Sequence, residues 1–188
     1  MAAMRIFLIG AACVGKTTIG RRLAERLNVT FFDLDEEVEE FFGISIERLQ
    51  KKFLTMPTYR EEAAKVLRRI LEWPDSCDSV IALPPSGLMG GYWRVMKKTT
   101  GTIVVLDDRP ENILERIRFF DIDSKPVDQE LTPREKRWYL SEMKKDLAYF
   151  GKTYGRAHLK VDIAGLDVEG AANKIKAASE SFREDTGI

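Results

Sequence analysis

Residues 10–17 read G-A-A-C-V-G-K-T and match the pattern G-x-x-x-x-G-K-T. They follow an apolar run that predicts a buried strand over residues 4–9. They lead into residues 16–27, where Ile19, Leu23 and Leu27 share one face of a predicted helix. The glycines let the backbone N–H groups of the loop point inward at phosphate oxygens, and the start of the helix adds its positive dipole end. The stretch therefore predicts a binding site for the phosphates of a nucleoside di- or triphosphate.

The residues of this loop have distinct expected roles. Lys16 is expected to reach the β- and γ-phosphates, and the Thr17 hydroxyl is expected to bind Mg²⁺. We interpret Cys13 as a small filler and not as a nucleophile, because Lys16 is the only basic residue near it in the sequence. The residues predicted to bind the nucleotide are Gly10, Ala12, Cys13, Val14, Gly15, Lys16, Thr17 and Thr18.

Strands alternate with helices along the rest of the chain. Short apolar runs predict four further strands, over residues 30–33, 79–83, 102–106 and 159–163. Helical signals predict helices over residues 35–42, 44–53, 59–73, 92–98, 110–120, 134–149 and 168–182. The alternation indicates an α/β fold of the three-layer P-loop NTPase and kinase type, with a five-stranded parallel sheet, helices on both faces and a lid. No linker or internal repeat interrupts residues 1–188, so we expect one domain.

Charge, cysteine content and hydropathy argue against several classes of protein. Lys plus Arg and Asp plus Glu both number 30, so no basic excess favours nucleic acid as a partner. Two cysteines and one histidine cannot form a disulfide framework or a multi-histidine metal site. No apolar run approaches the roughly 18 residues of a membrane span, and the residues before the loop are too few for a signal peptide. We expect a cytoplasmic monomer without a membrane partner.

The phosphate loop alone does not distinguish motors, GTPases, regulatory ATPases and small-molecule kinases. The chain is short and contains no N-K-x-D sequence for reading guanine. Residues 121–133 have weak periodicity and are interpreted as a mobile connection, which belongs to a predicted lid over residues 119–133. A lid excludes water, so that the γ-phosphate passes to another hydroxyl. These features favour a kinase.

The loop with its extension, residues 10–27, and the segment F-F-D-L-D, residues 31–35, are similar to motifs of the shikimate kinase family. The resemblance covers most of the chain. It implies that Asp33 lies near Mg²⁺ and that Asp35 contacts an acceptor hydroxyl and takes its proton. On physical grounds, two carboxylates that leave a strand beside the loop can share a cation and a substrate. The alternative is that Asp35 only caps a helix and Asp33 is a solvated turn residue.

The same resemblance places the acceptor site in a helical region over residues 34–75 and in the loop after the third strand. Tyr59-Arg60 resembles the family's F-R, which implies that Arg60 binds the substrate carboxylate; an exposed helix arginine is the alternative. Ser86 and Gly87 are further candidate contacts, in a loop where the family has three consecutive glycines. Pro84-Pro85 in this loop remove N–H donors and add bulk.

On the nucleotide side, Arg118 matches the family arginine that packs on the adenine, with a solvated helix arginine as the alternative. Lys125 occupies the position of the arginine in the family's lid motif R-P-L-L. It has the same positive charge but lacks the paired N–H donors of a guanidinium group. The family's second substrate arginine has no counterpart in register, although Lys152 and Arg156 are nearby.

Two main hypotheses follow. The first is a phosphotransferase that uses ATP and Mg²⁺ and moves the γ-phosphate to a hydroxyl of shikimate or a related hydroxy acid, with Lys16, Asp33 and Asp35 as catalytic residues. The second is a catalytically silent nucleotide-binding protein with a regulatory or partner-binding role, which the prolines in place of glycines favour. A nucleoside or nucleotide kinase is a third possibility, but a basic site for an acceptor phosphate is not evident.

Overall fold

A five-stranded parallel sheet forms the centre of the structure, a computed structural model that describes residues 4–186 and leaves residues 1–3 and 187–188 outside the described part. Its strands are β1 (Arg5–Gly10), β2 (Thr30–Asp33), β3 (Ser79–Ala82), β4 (Thr102–Asp107) and β7 (Leu159–Asp162). Their order across the sheet is β2-β3-β1-β4-β7, and all neighbours are parallel. Because β1 lies between β3 and β4, the loop after β1 opens at the middle of the carboxyl edge, where ligands bind in open α/β sheets.

Helices cover both faces of this sheet. They are α1 (Lys16–Leu27), α2 (Leu34–Phe42), α3 (Ile46–Lys51), α4 (Met56–Glu72), α5 (Gly90–Met96), α6 (Pro110–Glu115), α7 (Pro133–Tyr154) and α8 (Val168–Thr186). Phe7 and Ile9 of β1 belong to a buried cluster with α4 and α5, whereas Ile6 and Leu8 belong to a second cluster with α1 and α8. This alternation along one strand confirms the expected three-layer α/β architecture. No helix within residues 4–186 combines the length and hydropathy needed to cross a membrane.

The segment between α6 and α7 differs from the prediction. The helix expected over residues 110–120 ends at Glu115, and β5 (Phe119–Phe120) pairs antiparallel with β6 (Pro126–Val127). Asp121 Oδ1 accepts hydrogen bonds from the N–H groups of Asp123 and Lys125 and so closes the turn. The stretch predicted to be an irregular connection therefore contains a two-stranded hairpin over residues 119–127, while its mobility stays a prediction. We call residues 119–127 the β5–β6 hairpin.

Candidate active site

The loop between β1 and α1 is packed tightly against β4. Gly10 has a φ of 150°, and a Cβ there would lie 2.8 Å from the carbonyl oxygen of Leu106, so only glycine fits. Gly15, with a φ of 107°, directly precedes α1. Cys13 is partly buried and packs against the apolar cluster under α1, which supports its interpretation as a filler. The other predicted loop residues differ in exposure, since Val14 is fully buried while Ala12 and Thr18 are exposed.

Lys16 lies across this loop. Its Nζ donates hydrogen bonds to the carbonyl oxygens of Gly10, at 3.1 Å, and Ala11, at 2.7 Å. Burial lowers the pKa of Lys16 to about 8, against the opposing attraction of Asp35 and Asp33. The carboxylates of the protein thus offset only part of the cost of burying this ammonium group. An anionic phosphate would offset the rest.

Asp33 joins the phosphate loop to α2. It is the last residue of β2 and the N-cap of α2, where its Oδ1 accepts from the N–H of Asp35 at 3.0 Å. Its Oδ2 accepts from the Thr17 hydroxyl at 2.6 Å. The alternative raised from the sequence is therefore wrong on both counts: Asp33 caps the helix, and it is a partly buried residue bonded to the phosphate loop.

The Thr17 and Asp33 side chains fit a magnesium ion. Both supply hard oxygen donors, and they lie side by side at the phosphate loop. Within residues 4–186 there is no cluster of three or more His, Cys, Asp or Glu side chains that could hold a metal on its own. Mg²⁺ usually takes one or two protein oxygens and completes its shell with waters and substrate phosphates, so this pair suits an ion that arrives with a nucleotide.

Asp35 lies close to Lys16 in the first turn of α2. Burial, followed by repulsion from Asp33, raises the pKa of Asp35 to about 6, while Lys16 acts in the opposite direction. A carboxylate with a pKa near 6 is ionised at neutral pH and is still basic enough to accept a proton in a reaction. The structure therefore places a candidate general base within electrostatic reach of Lys16.

Arg60 occupies the amino-terminal part of α4 and is only 9% exposed. The alternative of an exposed helix arginine is therefore wrong. Its Nε has no hydrogen-bond partner among the described residues. The preceding residue, Tyr59, is within electrostatic reach of Asp35, which helps burial to raise the pKa of Tyr59 to about 12. Arg60 thus sits on the same side of the sheet as the candidate base.

The loop after β3 has few main-chain donors. Pro84 and Pro85 are half-buried and have no N–H, and the N–H of Gly87 donates to the carbonyl oxygen of Pro84 at 2.8 Å. A Cβ on Gly87 would lie 2.9 Å from the Cβ of Leu83, so this glycine is required for packing inside the protein. Ser86 is also buried, at 8% exposed. Protein atoms therefore fill the space that a side chain on Gly87 would take, and its contact with the acceptor stays a prediction.

Arg156 lies against the same loop. The sequence did not predict this contact, because Arg156 does not stand at the position of the family's second substrate arginine. Its Nη1 donates to the carbonyl oxygen of Leu88 at 2.6 Å, and its guanidinium carbon lies 5.0 Å from the centroid of the Trp93 ring. The Tyr154 hydroxyl donates to the carbonyl oxygen of Pro85 at 3.3 Å. These contacts join residues far apart in sequence, so no local pattern could have revealed them.

Arg118 and Lys125 are exposed side chains at the β5–β6 hairpin. Arg118 lies between α6 and β5, so the prediction that it belongs to a helix is wrong. The hairpin itself reaches the acceptor-side helices through three hydrogen bonds: Arg48 Nε to Asp123 Oδ1 (2.6 Å), Ser45 Oγ to the Ile122 carbonyl oxygen (2.5 Å) and Ser124 Oγ to Glu39 Oε1 (2.5 Å). We call these three contacts the hairpin clasp. The predicted lid is thus fastened to the predicted acceptor region.

Comparisons with known proteins agree with this geometry. A family model described as shikimate kinase matches residues 12–175. The chain is 32% identical over 160 residues to the shikimate kinase of Aquifex aeolicus, covering 84% of this chain and 86% of that relative. It is 28% identical over 179 residues to the shikimate kinase of Moorella thermoacetica, covering 95% and 96%. The structure of the Acinetobacter baumannii shikimate kinase in complex with shikimate matches with a TM-score of 0.74 at 26% identity, covering 95% of this chain and 94% of that one.

These relatives are kinases, and the hypothesis of a catalytically silent nucleotide-binding protein gains no support from them. The nucleotide substrate of the family is ATP. The match covers the phosphate loop from residue 12, Asp33 at the end of β2, Asp35 at the start of α2, and all further strands of the sheet. The chain belongs to the shikimate kinase family, and the protein is a small-molecule kinase.

Proposed function

We propose that this protein transfers the γ-phosphate of ATP to a hydroxyl of shikimate or of a closely related hydroxylated carboxylic acid, with Mg²⁺ as the metal ion. The observation that carries the proposal is the double role of Asp33, which bonds Thr17 at 2.6 Å and the N–H of Asp35 at 3.0 Å. One carboxylate thereby links the phosphate loop to the candidate base. The free thiols of Cys13 and Cys77 support a reducing, cytoplasmic setting.

Each residue of this cluster has a part in phosphoryl transfer. Lys16 neutralises charge on the transferring phosphoryl group, and Asp35 accepts the proton of the acceptor hydroxyl. As the acceptor oxygen bonds to the γ-phosphorus, the bond from that phosphorus to the β–γ bridging oxygen breaks and ADP leaves. Thr17 and Asp33 would hold Mg²⁺, which when bound offsets negative charge on the phosphates.

Arg60 is the proposed anchor for the acceptor carboxylate. A guanidinium group binds carboxylates through paired N–H donors, and the buried, unpartnered Nε of Arg60 offers one of them. The relative from Acinetobacter baumannii was solved with shikimate bound, which supports an acid of this kind as the acceptor. The prolines of the loop after β3 are the reason to include related acids in the proposal.

The test is ADP formation across a panel of cyclic and linear hydroxy acids that includes shikimate and its methyl ester. Turnover is expected to depend on an acid acceptor. The Arg60→Lys variant keeps the positive charge but loses the paired N–H donors of the guanidinium group. Its KM for the acid should therefore rise about tenfold or more, while its KM for ATP stays unchanged. ADP formation that is the same with and without every acceptor would contradict the proposal.

A further inference from the structure

Two buried polar groups on neighbouring helices have no hydrogen-bond partner of good geometry among the described residues. Across residues 4–186 three buried side-chain polar atoms lack one, namely Arg60 Nε, the Tyr92 hydroxyl and the Ser179 hydroxyl. Arg60 and Tyr92 lie on the adjacent helices α4 and α5, whereas Ser179 lies on α8, across the sheet. Buried donors are almost always partnered, so two of them together indicate a group that the protein does not itself supply.

Close packing of α5 on α4 fixes this arrangement. A Cβ on Gly91 would lie 3.0 Å from the carbonyl oxygen of Arg60 and 2.9 Å from the Cβ of Ala64, so glycine permits the approach. The next residue, Tyr92, is fully buried. Burial, and then the nearby Tyr59 and Asp35, raise the pKa of Tyr92, while Arg60 opposes them. The Tyr92 hydroxyl therefore remains a proton donor at neutral pH and lies within electrostatic reach of Arg60.

The loop after β3 increases the need for side-chain donors in this region. Pro84 and Pro85 have no N–H, and the N–H groups of Gly87 and Met89 donate to carbonyl oxygens within the loop, at 2.8 and 2.9 Å. A carboxylate only accepts hydrogen bonds, so an acid bound here depends more strongly on donors from side chains. The Nε–H of Arg60 and the O–H of Tyr92 are two such donors.

We propose that Tyr92 is a specificity-determining residue whose hydroxyl donates, together with the Nε–H of Arg60, to the carboxylate of the acceptor. The inference rests on the proposed function and adds a second donor to the carboxylate site. The hydroxyl of Tyr59 lies near that of Tyr92, but the Tyr92 hydroxyl has no hydrogen bond of good geometry within the described core. Removing the Tyr92 hydroxyl should therefore weaken acceptor binding without destabilising the free protein.

Steady-state kinetics and thermal unfolding of Tyr92→Phe test this inference. The KM for the acid acceptor is expected to rise about tenfold at unchanged KM for ATP, since one hydrogen bond to a charged group is lost. The Tm should equal or exceed that of the wild type. With the methyl ester of the same acid, whose neutral carbonyl oxygen is a weaker acceptor than a carboxylate, the rise in KM should be smaller. Ser179→Ala is the matched control, because it removes the third unpartnered hydroxyl; its Tm should equal or exceed the wild-type value at unchanged acceptor KM.

A Tyr92→Phe variant with the wild-type acceptor KM, with an equal rise in KM for acid and ester, or with a lowered Tm would overturn the inference. In each of these cases the acceptor-dependent turnover of the wild type, and with it the proposed function, would stand. A wild-type protein that phosphorylates no acid of the panel would overturn both.

Discussion

Replacing Asp35 with asparagine is predicted to stabilise the free protein while removing its activity. Burial and repulsion from Asp33 raise the pKa of Asp35 from 3.8 to about 6. Between these two values the folded state binds the proton that the unfolded chain has released, so the stability of the wild type falls as the pH rises through this range. Integrated, the charged carboxylate costs the folded state about 3 kcal/mol at pH 7 and about 0.5 kcal/mol at pH 4. A neutral asparagine does not carry this cost.

Urea unfolding of wild type and Asp35→Asn without nucleotide, at pH 4 and pH 7, measures the effect. The variant should be more stable by up to about 3 kcal/mol at pH 7 and by about 0.5 kcal/mol at pH 4. Its kcat should fall by about 10²- to 10⁴-fold, because the base is lost. Glu36→Gln is the matched control: it removes an exposed carboxylate paired with Arg21, and should change stability by less than about 1 kcal/mol. A variant less stable than the wild type at pH 7, or a difference that does not depend on pH, would refute the reasoning.

Three further predictions concern the loop and the hairpin. The kcat/KM for ATP should fall as the pH rises through about 8, where Lys16 loses its proton in the free enzyme; a constant value across that range would contradict the role of its charge. Gly10→Ala should destabilise the protein by about 1–3 kcal/mol in thermal unfolding, because its Cβ would meet the Leu106 carbonyl oxygen. Its control Gly151→Ala, in helix α7 with nothing within 4 Å, should stabilise by up to about 1 kcal/mol; equal effects of the two would show the loop argument to be wrong. Arg48→Ala removes the clasp contact with Asp123 and should speed proteolytic cleavage in the β5–β6 hairpin by up to about fivefold. Arg94→Ala, which breaks an exposed ion pair with Glu61, should leave that cleavage unchanged, and equal cleavage of both variants would speak against the clasp.

The elements around the nucleotide site could be predicted because their signals are local. The bounds of α1, Lys16–Leu27, and of β2, Thr30–Asp33, are those that the sequence predicts. α1 ends at Asn28, which adopts the left-handed conformation, and β2 ends at Asp33, which caps the following helix. The five strands and their parallel arrangement follow from the alternation of apolar runs with helices.

The segments that were predicted wrongly are those in which the local spacing of residues permits more than one structure. Ile113, Ile117 and Phe120 have helical spacing, yet the pairing of β5 with β6 ends the helix at Glu115. α7 continues through Gly151 to Tyr154, beyond the predicted end at residue 149, because one glycine costs a helix only about 1 kcal/mol.

The proposed acceptor site was the least predictable part of the molecule. Arg60 was predicted from a motif. The Tyr92 hydroxyl, in contrast, comes from α5. The Arg156 guanidinium, which bonds the Leu88 carbonyl oxygen, comes from the residues after α7. Only the packing of Gly91 on α4 brings Tyr92 beside Arg60. No repeating sequence pattern marks side-chain contacts between different helices and loops, so these contacts become visible only in the folded structure.

The most direct measurement of the central claim is ³¹P NMR of the wild-type protein with ATP, Mg²⁺ and shikimate, extended to the related acids of the panel. We expect a new phosphomonoester resonance that grows in step with ADP, and we expect no such resonance with Lys16→Ala. Inorganic phosphate as the sole product beside ADP, or an undiminished phosphomonoester signal from Lys16→Ala, would contradict it.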